Sequence, residues 1–112
     1  MMERKLDAMR VNTIDVNVRQ WRDKVNGNNY QAGHIVIDYG MKNERTIYIP
    51  FQYGDLIDCG VVKQALYDAG IFGNGNEYHA SVSYICRELD ITYRYNIVKD
   101  CLKKDVISYG KE

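Results

Sequence analysis

Two histidines, three cysteines and one glycine-asparagine run are the residues of this chain whose types could do chemistry. An enzyme of this size would need a nucleophile beside a base, a pair of carboxylates, or a metal. The bases on offer are His34 and His79. His34 falls within an alternating stretch next to Ile35, which turns it toward solvent or a polar partner. His79 stands two residues before Ser81, whereas a nucleophile and its base usually come from separate elements, so neither histidine marks a catalytic centre. Gly73, Asn74, Gly75 and Asn76 could bring backbone amides close to an anion ahead of a helix start. The run lacks the Rossmann spacing and the P-loop ending and follows a helix, so it reads first as a turn and second as an anion site. Cys59, Cys86 and Cys101 are far apart, without a Cys-x-x-Cys pair or a histidine at ligand spacing. Reduced, buried thiols in a reducing cytoplasm are expected, with no metal and no cofactor. The chain is read as a non-enzyme.

Ten tyrosines among 112 residues, against two phenylalanines and one tryptophan, point instead to binding. A tyrosine has an apolar face and a polar tip, which suits a surface that must be adhesive and wet at once. Tyr39, Tyr53, Tyr93 and Tyr95 fall on apolar strand faces and are expected in the core. Tyr30, Tyr48 and Tyr78, with Tyr67 or Tyr84, fall on polar faces or in loops and form the expected partner-binding set. Arg45 and Arg94 would supply its planar cations. Fifteen basic and fifteen acidic side chains cancel, which removes the field that a non-specific nucleic-acid binder needs. Local runs survive neutrality, with Arg19, Arg22 and Lys24 early and Lys99, Lys103 and Lys104 late, and they read as solvated faces. No apolar run approaches the roughly 18 residues of a membrane span.

These residues must be positioned by a small set of elements. Met1 to Ala8 reads as a weakly ordered lead-in, and residues 9–112 as one domain. Alternation from Val11 through Ile14, Val16 and Val18 predicts a strand. Val18 to Val25 fits a strand entering an Asn-Gly hairpin or a short helix ended by Gly27. Strands are predicted from Gln31 to Tyr39 and from Arg45 to Tyr53, the second at a sheet edge or bulged because Pro50 cannot donate to a ladder. A helix follows with Val62, Ala65, Leu66 and Ala69 on one face, Asp58 as cap and Gly70 as stop. A second, capped by Ser81, carries Val82, Ile85, Cys86 and Leu89. Ile91 to Val98 alternates again, and Leu102, Val106 and Tyr109 have helical spacing. The order β-β-β-α-α-β-α predicts a single α+β domain, an antiparallel or mixed four-stranded sheet with two to three helices packed on one face.

The segment Trp21-Arg22-Asp23-Lys24-Val25-Asn26-Gly27-Asn28-Asn29-Tyr30, with Pro50-Phe51-Gln52-Tyr53-Gly54 downstream, resembles small proteins of bacteriophages and prophages. Tyr84-Ile85-Cys86-Arg87-Glu88 and Tyr95-Asn96 extend the likeness. Such proteins are often accessory factors that disable bacterial defences. The resemblance therefore implies a non-catalytic, anti-CRISPR-like inhibitor in the host cytoplasm, covering a surface of a host defence protein. A sponge for a nucleotide immune signal is the alternative, stacking bases on tyrosines and holding phosphates with Arg94, lysines and the Gly73 to Asn76 amides. A small hydrolase using a histidine is the second alternative. An edge strand and adhesive rings would also serve a homodimer.

Overall fold

The buried alternation of Ile14, Val16 and Val18 ends at Val18, but pairing with the next strand continues to Asp23, so the ambiguous residues after Val18 are strand rather than helix up to Asp23. What stops a helix there is Asp23. Its carboxylate accepts the backbone N–H groups of Val25 and Asn26 and the Asn26 side-chain amide, and its carbonyl accepts the Gly27 N–H at 2.6 Å. The chain is reversed within four residues and re-enters the sheet at Asn28.

The structure, a computed structural model, describes residues 11–54, 60–72 and 81–111. In order come β1 (Thr13–Asp23), β2 (Asn28–Ile37), β3 (Arg45–Tyr53), α1 (Val61–Asp68), α2 (Val82–Glu88), β4 (Thr92–Val98) and α3 (Lys103–Tyr109). This is the expected α+β order. The sheet runs β3-β2-β1-β4, with β1 antiparallel to β2, β2 antiparallel to β3, and β1 parallel to β4, so it is mixed. Met1 to Ala8, the Asp58 cap, Cys59, the Gly73 to Asn76 run, Tyr78 and His79 lie outside the described residues.

One face of the sheet carries the main core. Ile14, Val16, Val18, Ile35, Ile37 and Ile49 meet Val62 and Leu66 of α1 and Val82, Ile85 and Cys86 of α2, all essentially inaccessible to water. Each buried aliphatic side chain of this kind contributes about 1.5–3 kcal/mol relative to exposure. The helices end where the sequence tells them to. Ser81 Oγ accepts the Tyr84 N–H at 3.1 Å at the start of α2. At the end of α1, Gly70 N–H bonds the Tyr67 carbonyl and Ile71 N–H the Leu66 carbonyl, a Schellman closure that needs the positive φ of Gly70. Asp90 fills the same place after α2, at φ 60°.

Two helices thus share one face as expected, and the third crosses the other. Arg19, Ala32 and His34 alternate with the core residues Val18, Gly33 and Ile35, so they point to the second face, and there α3 lies. Its Tyr109 ring is 5.1 Å from the His34 ring and sits under the Arg19 guanidinium at 4.1 Å. Val106 is fully buried. A side chain at Gly110 would strike the Ile49 carbonyl oxygen and approach Ala32 Cβ to 2.8 Å, so glycine lets the helix end rest directly on the strands.

Two tyrosines expected in the core are outside it. β2 ends at Ile37, Asp38 turns left-handed at φ 53°, and Tyr39 is thrown outward, 67% exposed. Tyr53 is 60% exposed because a bulge moves it to the second face. Tyr95 does lie on the core side, in register with Val16, but at the sheet edge, so it is 55% exposed. Tyr93 packs against the core as expected.

Asp38 is itself a fastener. Its wholly buried carboxylate accepts the N–H groups of Asn12 and Thr13 at 2.6 and 3.0 Å and the Asn43 amide at 2.7 Å, tying the start of β1 to the β2–β3 loop. Removing the acceptor leaves those donors unsatisfied at roughly 1–3 kcal/mol each where burial is complete. Asp38→Ala is expected to lower unfolding free energy by about 2–4 kcal/mol in urea titration, and Asp38→Asn by less, because an amide oxygen still accepts and asparagine tolerates positive φ.

Candidate functional site

The residues beside the β1–β2 turn build the site. The hairpin register sets Trp21 opposite Tyr30, both on the second face. β3 then contributes two rings through an irregularity: Gly33 faces Ile49 but Gln31 faces Gln52, so β3 uses three residues where β2 uses two. The extra residue reverses the alternation after Pro50. Phe51 and Tyr53 consequently turn to the side that holds Trp21 and Tyr30.

Four rings converge. Tyr30 and Phe51 stack with centroids 5.2 Å apart and planes 4° from parallel. Trp21 lies 5.5 Å from Tyr30 and 6.3 Å from Phe51, and Tyr53 meets Tyr30 edge-on at 5.9 Å. Trp21, Tyr30 and Phe51 are half-buried and Tyr53 is exposed. Such pairs add about 0.5–1.5 kcal/mol beyond area burial, so the platform is held in shape before anything binds. The first residue of α3 completes it, with Lys103 Nζ 5.0 Å over the Trp21 ring. The Asp23 carboxyl is held below the usual carboxylate range, chiefly by the Asn26 side-chain amide, with Lys103 adding to the effect.

The two basic runs also meet here. The Cys101 N–H bonds the Gln20 carbonyl at 3.0 Å, joining the segment before α3 to the end of β1. Residues 19–24 and 99–105 together carry Arg19, Arg22, Lys24, Lys99, Lys103 and Lys104 against Asp23, Asp100 and Asp105, six positive and three negative, a net of +3 in a chain that is neutral overall. The runs remain largely solvated: Lys103 is seated on the Trp21 ring and Arg19 on Tyr109, while Arg22 alternates with Trp21 and points to the opposite face of the sheet.

Of the expected partner-binding residues that the structure describes, Tyr30 alone is in this cluster. Tyr48, 40% exposed, sits 6.2 Å from His34 near the far end of α3. Arg45 pairs with Ile37 at the opposite end of the sheet. Arg94 is committed to Asp15, with its Nε 2.5 Å from one carboxylate oxygen and a second nitrogen 3.0 Å from the other. Asp15 is six residues from Trp21 along β1, about 20 Å at strand rise, so Arg94 serves no ring of the cluster. Tyr67 packs edge-on against Phe72 at 5.7 Å rather than facing a partner, and Tyr84 is exposed under Arg87. Trp21, Phe51, Tyr53 and Lys103 were missed. The hairpin spacing could have given Trp21, and the bulge implied by Pro50 could have given the other two rings.

His34, the described histidine, faces Tyr48 and Tyr109, with Arg19 beyond Tyr109. Among the described residues no three His, Cys, Asp or Glu side chains gather as metal ligands, and no helix is long and apolar enough to cross a membrane. Compared with protein-family models, with curated proteins and with solved structures, the chain has no match.

Burial pushes the His34 imidazole below its ordinary value of 6.5. Below that pH the unfolded chain takes up a proton that the folded chain resists, so stability falls as pH falls. Melting temperature is expected to drop between pH 7.5 and 5.5, before carboxylates titrate, and His34→Gln should flatten that drop. An unchanged slope in the variant would remove His34 as its source.

Proposed function

We propose that this chain is a non-catalytic binding protein that covers a surface of a protein partner with the Trp21, Tyr30, Phe51 and Tyr53 platform, and that the partner is a bacterial antiviral defence component met in the host cytoplasm. The convergence of four rings, with Lys103 seated over Trp21, carries the binding reading. Aromatic rings with adjacent cations are what interface hot spots are made of, because flat, stiff side chains lose little entropy when covered. Lys103 favours an acidic group on the partner. The assignment to defence rests on the resemblance to phage proteins, and occlusion of a CRISPR effector is its most specific form.

Expressed in bacteria whose CRISPR effector blocks a phage, the chain is expected to restore plaques and to co-purify with the effector. Tyr53→Ala, at an exposed ring, should weaken capture about tenfold or more, the loss of 1.4 kcal/mol or above, while the lost edge contact with Tyr30 lowers the melting temperature by only a few degrees. Lys103→Glu should add to it. Plaques that stay blocked with every effector type tried, or capture untouched by both variants, would refute the reading.

The same platform favours one second reading, a nucleotide sponge, since a base can stack on Tyr53 or Trp21 while Lys103 holds phosphate. Arg94 drops out of that site. A melting-temperature rise with cyclic oligonucleotides or ADP-ribose derivatives that Tyr53→Ala abolishes would support it over the protein partner.

A further inference from the structure

We propose that acid detaches α3 from the sheet and so lifts Lys103 off the Trp21 ring, with protonation of His34 as the trigger. Such a device regulates the ring platform: its effect on capture rests on the binding reading above, while the detachment itself does not.

One helix of seven residues touches both places. Lys103, at the first turn of α3, lies 5.0 Å over the Trp21 ring, and Tyr109, at its last, lies 5.1 Å from the His34 ring. His34 is half-buried there. Opposite it on β1 stands Asn17, with Arg19 next along the same face and its guanidinium on Tyr109. Opposite it on β3 stands Tyr48, and along β2 the same face carries Ala32 and Val36. From α3 comes Tyr109, while Asp105 lies one turn back toward Trp21 and Lys111, past the helix end, is exposed. Burial is thus what holds the imidazole below its ordinary value, and among the described residues no carboxylate offsets it.

A charge on His34 must be hydrated. His34 belongs to β2, which is paired on both sides, so it cannot move to water and its cover must move instead. The part able to do so is α3. Two turns of helix have little stability alone, and Val106 is the one side chain of α3 that is fully buried. Gly110, next to Tyr109, rests on the Ile49 carbonyl with Ala32 beside it, so a shift at Tyr109 unseats the helix end and not a single ring. In the docked state burial disfavours the charged imidazole, and once α3 is off, the imidazole regains its ordinary value of 6.5. Docking is therefore at full strength above that pH and weakens as pH falls below it. Lys103 leaves Trp21 with the helix, and the platform loses its cation.

Nuclear magnetic resonance of the full chain between pH 7.5 and 5.0 tests this without a partner. The indole N–H of Trp21, the one tryptophan of the chain, is expected to shift with the same midpoint as the His34 imidazole, below 6.5, and the α3 amides to move toward random-coil positions with it. His34→Gln should abolish that shift, and His79→Gln should leave it in place. Gly110→Ala forces the helix end away from the Ile49 carbonyl, so at pH 7.5 its Trp21 signal should already stand where acid puts it in the native chain, with the β1 and β2 amides still dispersed. An indole signal that stays flat while His34 titrates, one that still moves in His34→Gln, or a native Trp21 position in Gly110→Ala would each overturn the proposal. Failure of capture at pH 7.5 would count against the binding reading alone and leave these shifts as they are. Where capture occurs, it should weaken severalfold from pH 7.5 to 5.5 in the native chain and hold level in His34→Gln.

Discussion

Between Ile49 and Gln52 the outer strand β3 advances three residues while β2 advances two, and since strand side chains alternate with period two, everything after that point changes sides. Ile47 and Ile49 remain with the core, whereas Phe51 and Tyr53 are delivered to the opposite face. Without the shift, the rings would sit over α1 and the second face would end at Trp21 and Tyr30. The irregularity falls at Pro50, whose missing N–H cannot hold a regular ladder, so the backbone chemistry of one residue decides where the aromatic platform forms.

The shift also shapes the floor on which α3 rests. The Ile49 carbonyl lies against Gly110, and Ala32 beside it leaves room for the helix to approach without an intervening side chain. A seven-residue helix has little intrinsic stability and must be held by tertiary contacts. Val106 supplies the apolar anchor, and each end is fixed by a cation and a ring, Lys103 over Trp21 at the first turn and Tyr109 under Arg19 at the last. The contacts that seat the helix therefore also fix the orientation of Trp21 and Lys103. Positioning of the site and docking of α3 are one event.

The period-two and period-3.6 patterns were enough to read the element order, the Ser81 cap and the Gly70 stop, because each depends on residues close in sequence. β3 matches its expected bounds from Arg45 to Tyr53, and the edge position that Pro50 demanded is where the sheet order puts it. What escaped was non-local. Which face a helix covers depends on the whole chain path, so α3, read correctly as a helix from Leu102, Val106 and Tyr109, could not be assigned a side. Tyr39 and Tyr53 were drawn into the core by extending alternation past a left-handed Asp38 and past the bulge. Tyr95 kept its predicted face and was still exposed, since alternation says nothing about whether a neighbour lies over the edge. Arg94 looked free because its partner Asp15 is 79 residues away.

A chain with no net charge has no long-range repulsion between its copies and no long-range pull on a charged partner, so association rests on local complementarity. The ring platform supplies it with side chains, which discriminate by shape and charge, and the cation seated on the rings, Lys103, comes from the far end of the chain, held there by the Cys101 N–H bond to the Gln20 carbonyl and by the docking of α3.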